Sequence, residues 1–437
     1  MTEGARFMDT PTPSNRNPWS WIPSLYFTQA IPNGVVASLS VTMYKNLGIS
    51  NTSAAFYTSL LYLPWVIKPL WAPFIELRGT KRRWVVVLQY LMSAALCLVA
   101  LSVPAPFFFQ ATLAVFWMIA LGSATHDIAA DGFYLLALEK PQQAAFVGVR
   151  STFYRLAGIV GGGIPIILVG RLANITGDMA RAWAIVFAIL AGCFFIAAWL
   201  HSRVMPKLAV DVPSSVTTNP WNGWWTVFSA FFRKPGIMSV LGFLLLFRIA
   251  EAQLLKLVIP FMLDGRDVGG LGLSNEQLGV FYTTIGPIAL TIGGLLGGWL
   301  VSQYGLRKFL WWMVAAMHVP NAVFVVLAMI QPENLGVIGG AVMVEQLGYG
   351  FGFTAYMVYM MMVAADGPHK TAHYAICTGF MALGIMLPGM FSGWIQELLG
   401  YQNFFIWVVA CAVPSIAACA FIKIDEGFGR KTDGASE

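Results

Sequence analysis

Apolar residues run along this chain in long unbroken blocks, separated by short polar turns, rather than alternating every second position. Measured against the roughly 20 apolar residues that cross a bilayer as a helix, the blocks predict spans at 20–44, 53–76, 84–102, 107–136, 143–171 and 181–201, then at 237–262, 276–304, 309–330, 336–364, 372–398 and 402–423. The longest polar connection lies between the sixth and seventh, from Ser202 to Gly236. Within lipid every backbone amide must find its partner inside the protein, which leaves helices or a closed barrel, and continuous apolar runs exclude the barrel. The pattern therefore predicts an all-α polytopic membrane protein with twelve transmembrane helices. Its expected organisation is a tail at 1–19, a six-helix bundle at 20–201, a central loop at 202–236, a second six-helix bundle at 237–423 and a tail at 424–437.

Composition agrees: of 437 residues 58% are hydrophobic and 11% charged, with a mean hydropathy of +0.70, values that no water-soluble globule hides beneath a polar surface. The charges then orient the chain. Arg78, Lys81, Arg82, Arg83, Lys140, Arg203, Lys207, Arg233, Lys234, Arg307 and Lys308 fall on the side of the termini, whereas Lys45, Arg171, Arg181 and Arg266 fall opposite. The positive-inside rule makes both termini cytoplasmic. The net charge of +6 is spread over many short loops, so it is a topology signal and not a nucleic-acid surface. Cys97, Cys193, Cys377, Cys411 and Cys419 sit singly in apolar runs, in neither disulfide nor zinc spacing, and no metal or cofactor is expected. The segment Pro220 to Phe232, rich in Trp and Phe and followed by Arg233 and Lys234, fits a helix lying in the membrane interface or an aromatic lead into the seventh span.

The two halves echo one another. Leu47-Gly48-Ile49-Ser50-Asn51, then Phe56-Tyr57-Thr58, returns as Leu271-Gly272-Leu273-Ser274-Asn275, then Phe281-Tyr282-Thr283. A basic turn, Arg78-Gly79-Thr80-Lys81-Arg82-Arg83, returns as Gln303-Tyr304-Gly305-Leu306-Arg307-Lys308. Internal repeats mark transporters built from two bundles. The basic turns resemble the Gly and Arg/Lys loop of the major facilitator superfamily, with Glu76 near that motif's acidic position, which implies a charge lock or gate made with Arg82 in the first half.

A narrower resemblance lies in Leu63-Pro64-Trp65-Val66-Ile67-Lys68-Pro69-Leu70-Trp71-Ala72-Pro73, in Ser123-Ala124-Thr125-His126-Asp127-Ile128-Ala129-Ala130-Asp131, and in Arg150-Ser151-Thr152-Phe153-Tyr154-Arg155. Together these strings are similar to the peptide/acetyl-coenzyme A/drug transporter family, whose bacterial members include muropeptide permeases. The resemblance implies a proton-driven importer of a bulky anionic solute in the bacterial inner membrane, with anhydromuropeptides the leading case and siderophores or acyl-coenzyme A the alternatives. It implies a monomer whose partners are the solute, protons and the bilayer.

The residues themselves point the same way. Asp127 and Asp131 stand one helical turn apart in an apolar span, and ionisable groups at that depth are costly unless paired or facing a wet cavity. In an antiparallel pair, residues at equal depth have nearly constant summed numbers, so Asp131 is matched with Arg150 and Asp127 with Arg155. Such pairs either pin the helices or let a carboxyl exchange a proton while its arginine turns to solute. Glu251 and Glu345 are the further proton-coupling candidates, and Arg248 shares a helical face with Glu251 at i, i+3. Arg155, Arg248, Lys256 and Lys68 are the cations available to an anionic solute, with Gln29, Asn33 and Gln346 for its hydroxyls. An intramembrane transferase needs a catalytic constellation, and the chain has no Ser/His/Asp cluster, phosphate loop or His-x-x-x-His motif.

Overall fold

A computed structural model describes residues 16–72, 75, 79–138, 140–212, 220–365, 370–426 and 428, which form helices and no strand. The first bundle holds α1 (22–46), α2 (51–70), α3 (Lys81–Ser102), α4 (Phe108–Ala137), α5 (Lys140–Thr176) and α6 (Met179–Val204). A connecting helix α7 (Pro220–Phe232) follows, then the second bundle of α8 (Ile237–Leu263), α9 (Asn275–Tyr304), α10 (Leu306–Ile330), α11 (Leu335–Ala365), α12 (370–399) and α13 (401–421). Gly400, at φ 71° and ψ 166°, divides the last two spans, a conformation that glycine adopts at little cost. Twelve spans in two bundles match the hydrophobic pattern.

The repeated motif is built the same way twice. Gly48 and Gly272 take positive φ, at 81° and 65°, and end the preceding segment. Ser50 then accepts a hydrogen bond from Ser53 N at the start of α2, and Ser274 does the same for Gln277 N at the start of α9, closing a capping box there. The basic turns share Gly79 and Gly305, both at φ 83°. Among the described residues the Arg82 side chain meets backbone: it donates to Ser202 O and Met205 O at the end of α6, while Asp211 accepts from Lys81 N and Arg82 N. It caps the end of α6 within the first bundle; Glu76, its partner in the expected charge lock, lies outside the described residues.

Small residues bring spans together. A Cβ on Gly293 would stand 2.0 Å from Leu347 O, and one on Gly350 1.9 Å from Leu290 O, so α9 and α11 pack backbone to backbone. Across the bundles, a Cβ on Gly279 of α9 would stand 2.4 Å from Ile167 of α5. At the face opposite the termini, the distal face, Lys45 of α1 pairs with Asp264 of α8 at 2.6 Å. There Asn51 donates to Gln396 Oε1 and Tyr401 OH, at 2.7 and 2.9 Å, Tyr401 donates to Asp264, and Thr52 donates to Glu397. A Cβ on Gly393 would lie 2.1 Å from Asn51 O, so α2 and α12 touch through their backbones at this end. The distal face is shut.

Candidate functional site

Between the bundles, below that seal, lies a cavity of about 830 Å³. Its floor and sides carry Asn33 of α1, Tyr62, Trp65 and Lys68 of α2, Asp127 and Asp131 of α4, and Tyr154 of α5. The second bundle brings Arg248 and Lys256 of α8, Tyr282 of α9, Tyr349 of α11 and Tyr374 of α12. Leu135, near the end of α4, and Tyr374 carry the lining toward the face of the termini.

On the wall of the first bundle, charge is balanced. Asp127 accepts from Gln29 Nε2 at 2.9 Å and from Trp65 Nε1 at 3.2 Å, and Lys68 Nζ stands 3.7 Å from its Oδ2. Four residues on, Asp131 Oδ1 accepts from Arg150 Nη2 at 2.7 Å and from Tyr26 OH at 3.1 Å. The Arg150 guanidinium also lies 4.3 Å from the centre of the Tyr26 ring and 5.0 Å from that of Tyr134. The Asp131–Arg150 pair is thus made, but the expected Asp127–Arg155 pair is not. Lys68 takes Asp127, and Arg155 is exposed on α5 and is not among the residues lining the cavity. Equal depth on neighbouring helices fixes height but not azimuth.

On the opposite wall the cations stand alone. α8 is interrupted at Phe247 and Arg248, where Arg248 has φ −108° and ψ 16° at the cap of the second segment, and among the described residues Arg248 and Glu251 form no ion pair. Arg248, 3% exposed, donates to Tyr349 OH and lies 4.7 Å from the centre of the Phe353 ring. Lys256, 4% exposed, donates to Thr58 Oγ1 of α2 at 3.1 Å and lies 5.1 Å from the Tyr62 ring centre. Neither has a carboxylate within ion-pair distance among the described residues. Glu251 turns away from the cavity toward α10, accepting from Asn321 Nδ2 at 3.0 Å. Glu345 accepts from Gln346 Nε2 at 2.9 Å, and both are buried off the cavity wall.

His126, beside Asp127 in sequence, faces the interior of the first bundle. A chain of contacts runs from it to Gln89 at 3.0 Å, from Gln89 to His201 at 2.8 Å and from His201 to Ser24 at 3.0 Å. Tyr62 and Tyr374 carry no signal in the sequence beyond the return of tyrosine, an amphipathic ring, at mid-span positions, while Tyr154 and Tyr282 enter it only as members of the Arg150–Arg155 string and of the Phe281-Tyr282-Thr283 repeat. With five buried or half-buried charges, five tyrosines and one tryptophan around one space, the site can hold a polar solute larger than a single sugar or amino acid. Among the described residues no cluster suited to a metal ion is present.

Comparison with known proteins adds the following. A family model described as Major Facilitator Superfamily matches residues 24–374. The anhydromuropeptide permease of Escherichia coli (strain K12) is 26% identical over 366 residues, 82% of this chain and 70% of that one. The crystal structure of the nucleoside transporter NupG superposes with a TM-score of 0.67 at 15% identity, over 93% of this chain and 99% of the other. A bacterial homologue of the human lysosomal transporter Spinster, in an inward-facing and occupied conformation, gives 0.69 at 14% identity over 93% of this chain and 97% of the other.

Proposed function

The chain belongs to the major facilitator superfamily and is a multi-pass membrane transporter, and from that premise we propose that it imports a bulky anionic solute of the anhydromuropeptide kind together with protons, by alternating access. The observation that carries the reading is the unbalanced cavity: Lys68 and Arg150 already face carboxylates, whereas among the described residues Arg248 and Lys256 face hydroxyls and aromatic rings. Buried cations without counter-ions are costly, and a solute carboxylate that meets them supplies charge-assisted hydrogen bonds in a water-poor site. Asn33 and the ring faces of Tyr62, Trp65 and Tyr282 offer a sugar both hydrogen bonds and apolar surface. The similarity to the Escherichia coli permease supports the same solute class.

In this reading both termini are cytoplasmic and the shut distal face is the periplasmic one, so the cavity is caught on its cytoplasmic side of the cycle in the inner membrane of a bacterium. The units 20–201 and 237–423 rock about the cavity. Solute closes them only in so far as it binds one arrangement better than the other. Asp127 is the cavity carboxyl that gains and loses a proton as Lys68 turns between it and the solute.

The deciding experiment is thermal stabilisation of the purified protein by an anhydromuropeptide and by its amidated, uncharged analogue, since a ligand that binds only the folded state raises its stability. The anionic ligand is expected to stabilise strongly and the neutral one weakly. Equal stabilisation by the two overturns the anionic-solute reading.

A further inference from the structure

At the face of the termini, the ends of three helices of the second bundle enclose a pocket of about 270 Å³. α8 contributes Ser239 and, just before its first turn, Lys234; α11 contributes Tyr359; the end of α13 and the segment leaving it contribute Phe421, Lys423 and Asp425. None of these residues lines the transport cavity. Tyr359 makes the pocket more than a surface hollow. It is 2% exposed, with its ring centre 4.6 Å from that of Phe243, yet its hydroxyl has no hydrogen-bond partner among the described residues. Three residues earlier on the same helix, Tyr356 donates to Leu244 O at 2.6 Å, as a buried tyrosine ordinarily does. Native interiors leave few polar groups unmet, and the one on Tyr359 is left to the pocket.

The groups around that hydroxyl are mostly donors. The Ser239 hydroxyl also has no partner among the described residues. α8 starts at Gly236, φ 71°, with no side chain capping its first turn, so partial positive charge gathers there. Lys423 makes no ion pair among the described residues, not even with Asp425 two positions on. Lys234 donates to Val363 O at 2.6 Å, which holds its ammonium between α8 and α11. Hydroxyls, ammoniums and a helix start that converge on one space suit a phosphate group. The rim says what carries it. Phe421, 73% exposed, and Met238, 76% exposed on the first turn of α8, flank the pocket with apolar surface. A free anion gains nothing from such a flank, whereas acyl chains do. Asp425 then favours a headgroup that bears a hydroxyl beyond the phosphate.

We propose that this pocket binds the headgroup of an anionic, glycerol-type phospholipid. Lys423, Ser239, Tyr359 and the start of α8 receive the phosphate, Asp425 accepts from the glycerol hydroxyls, and Phe421 and Met238 lie along the acyl chains. Basic pockets between membrane helices suit such headgroups. The bound lipid bridges α8, α11 and the end of α13, and so fastens the second bundle to the leaflet on the side of the termini. This assignment stands apart from the identity of the transported solute, since the pocket and the cavity share no lining residue.

The test titrates the purified protein, in a nonionic detergent, with dioctanoyl phosphatidylglycerol, dioctanoyl phosphatidylcholine and inorganic phosphate, and reads thermal stability. Phosphatidylglycerol is expected to raise the melting temperature saturably, phosphatidylcholine to raise it little and inorganic phosphate not at all. Tyr359→Phe removes one oxygen and keeps the ring against Phe243, and Lys423→Gln removes one charge at an exposed position. In each variant the apparent affinity for phosphatidylglycerol is expected to fall roughly tenfold, the scale of one hydrogen bond to a charged group, while the lipid-free melting temperature stays where it was. Equal stabilisation by the two lipids, or undiminished affinity in either variant, overturns the proposal. Stabilisation by inorganic phosphate equal to that by phosphatidylglycerol overturns the lipid and assigns the pocket to a free anion.

Discussion

Replacing Arg248 by glutamine weakens binding of an anionic solute by about 1.5–3 kcal/mol, roughly 10- to 150-fold, the scale of one charge-assisted hydrogen bond. The effect is large because the guanidinium is 3% exposed and, among the described residues, is paired with no carboxylate, so a negative group of the solute meets its charge uncompensated. Glutamine keeps a donor for Tyr349 and much of the contact with Phe353 but removes the charge. The loss should therefore vanish for the amidated solute, which separates electrostatic recognition from a general disturbance of the cavity. Lys308→Gln, an exposed cation on the opening turn of α10, serves as control and should change neither affinity. Titration calorimetry with the two ligands against the three proteins is the measurement. Equal loss for both ligands in Arg248→Gln removes this residue from anion recognition.

Asp127→Asn abolishes uphill accumulation driven by a proton gradient while leaving counterflow of solute across a membrane of equal pH. The substitution keeps the side chain's size and one oxygen to accept from Gln29 or Trp65, but it cannot take up a proton and it leaves Lys68 without its partner. Asp131→Asn should be milder. There the carboxylate shares one oxygen between Arg150 and Tyr26, and the arginine retains the faces of Tyr26 and Tyr134 when the charge is gone. Reconstituted vesicles, loaded or unloaded with solute, with and without a pH step, measure both activities. Undiminished accumulation by Asp127→Asn takes this carboxyl out of the coupling step.

The spans were legible because lipid imposes one rule on every residue of a crossing segment, so block length alone locates the helices; the expected 107–136 and 336–364 fall within a residue of Phe108–Ala137 and Leu335–Ala365. The Ser-Asn caps and the glycine turns were legible for a similar reason, since their chemistry is local. Partners between helices were not. Asp131 and Arg150 meet as the depth argument expects, yet the same argument gives Asp127 the wrong cation, because Lys68 reaches it from α2 at an azimuth that numbering along α4 and α5 does not contain. Glu251 and Arg248 form no ion pair among the described residues, and α8 is interrupted between Leu246 and Ile249 with no proline or glycine at that point to announce it. The bonds of Arg82 to the carbonyls at the end of α6 were not legible either, because a basic turn looks the same whatever its arginine faces.

The seal at the distal face joins contacts with different responses to ionic strength. Lys45 and Asp264, partly open to water, attract less as salt is added and their charges are screened. The approach of Gly393 to Asn51 O has no charge to screen: it is a fit of backbone to backbone that leaves no room for a Cβ. Brine therefore loosens the outer clasp without prising the helices apart, and what holds that end shut in concentrated electrolyte is the buried neutral hydrogen bonding of Asn51 together with the lack of a side chain at Gly393.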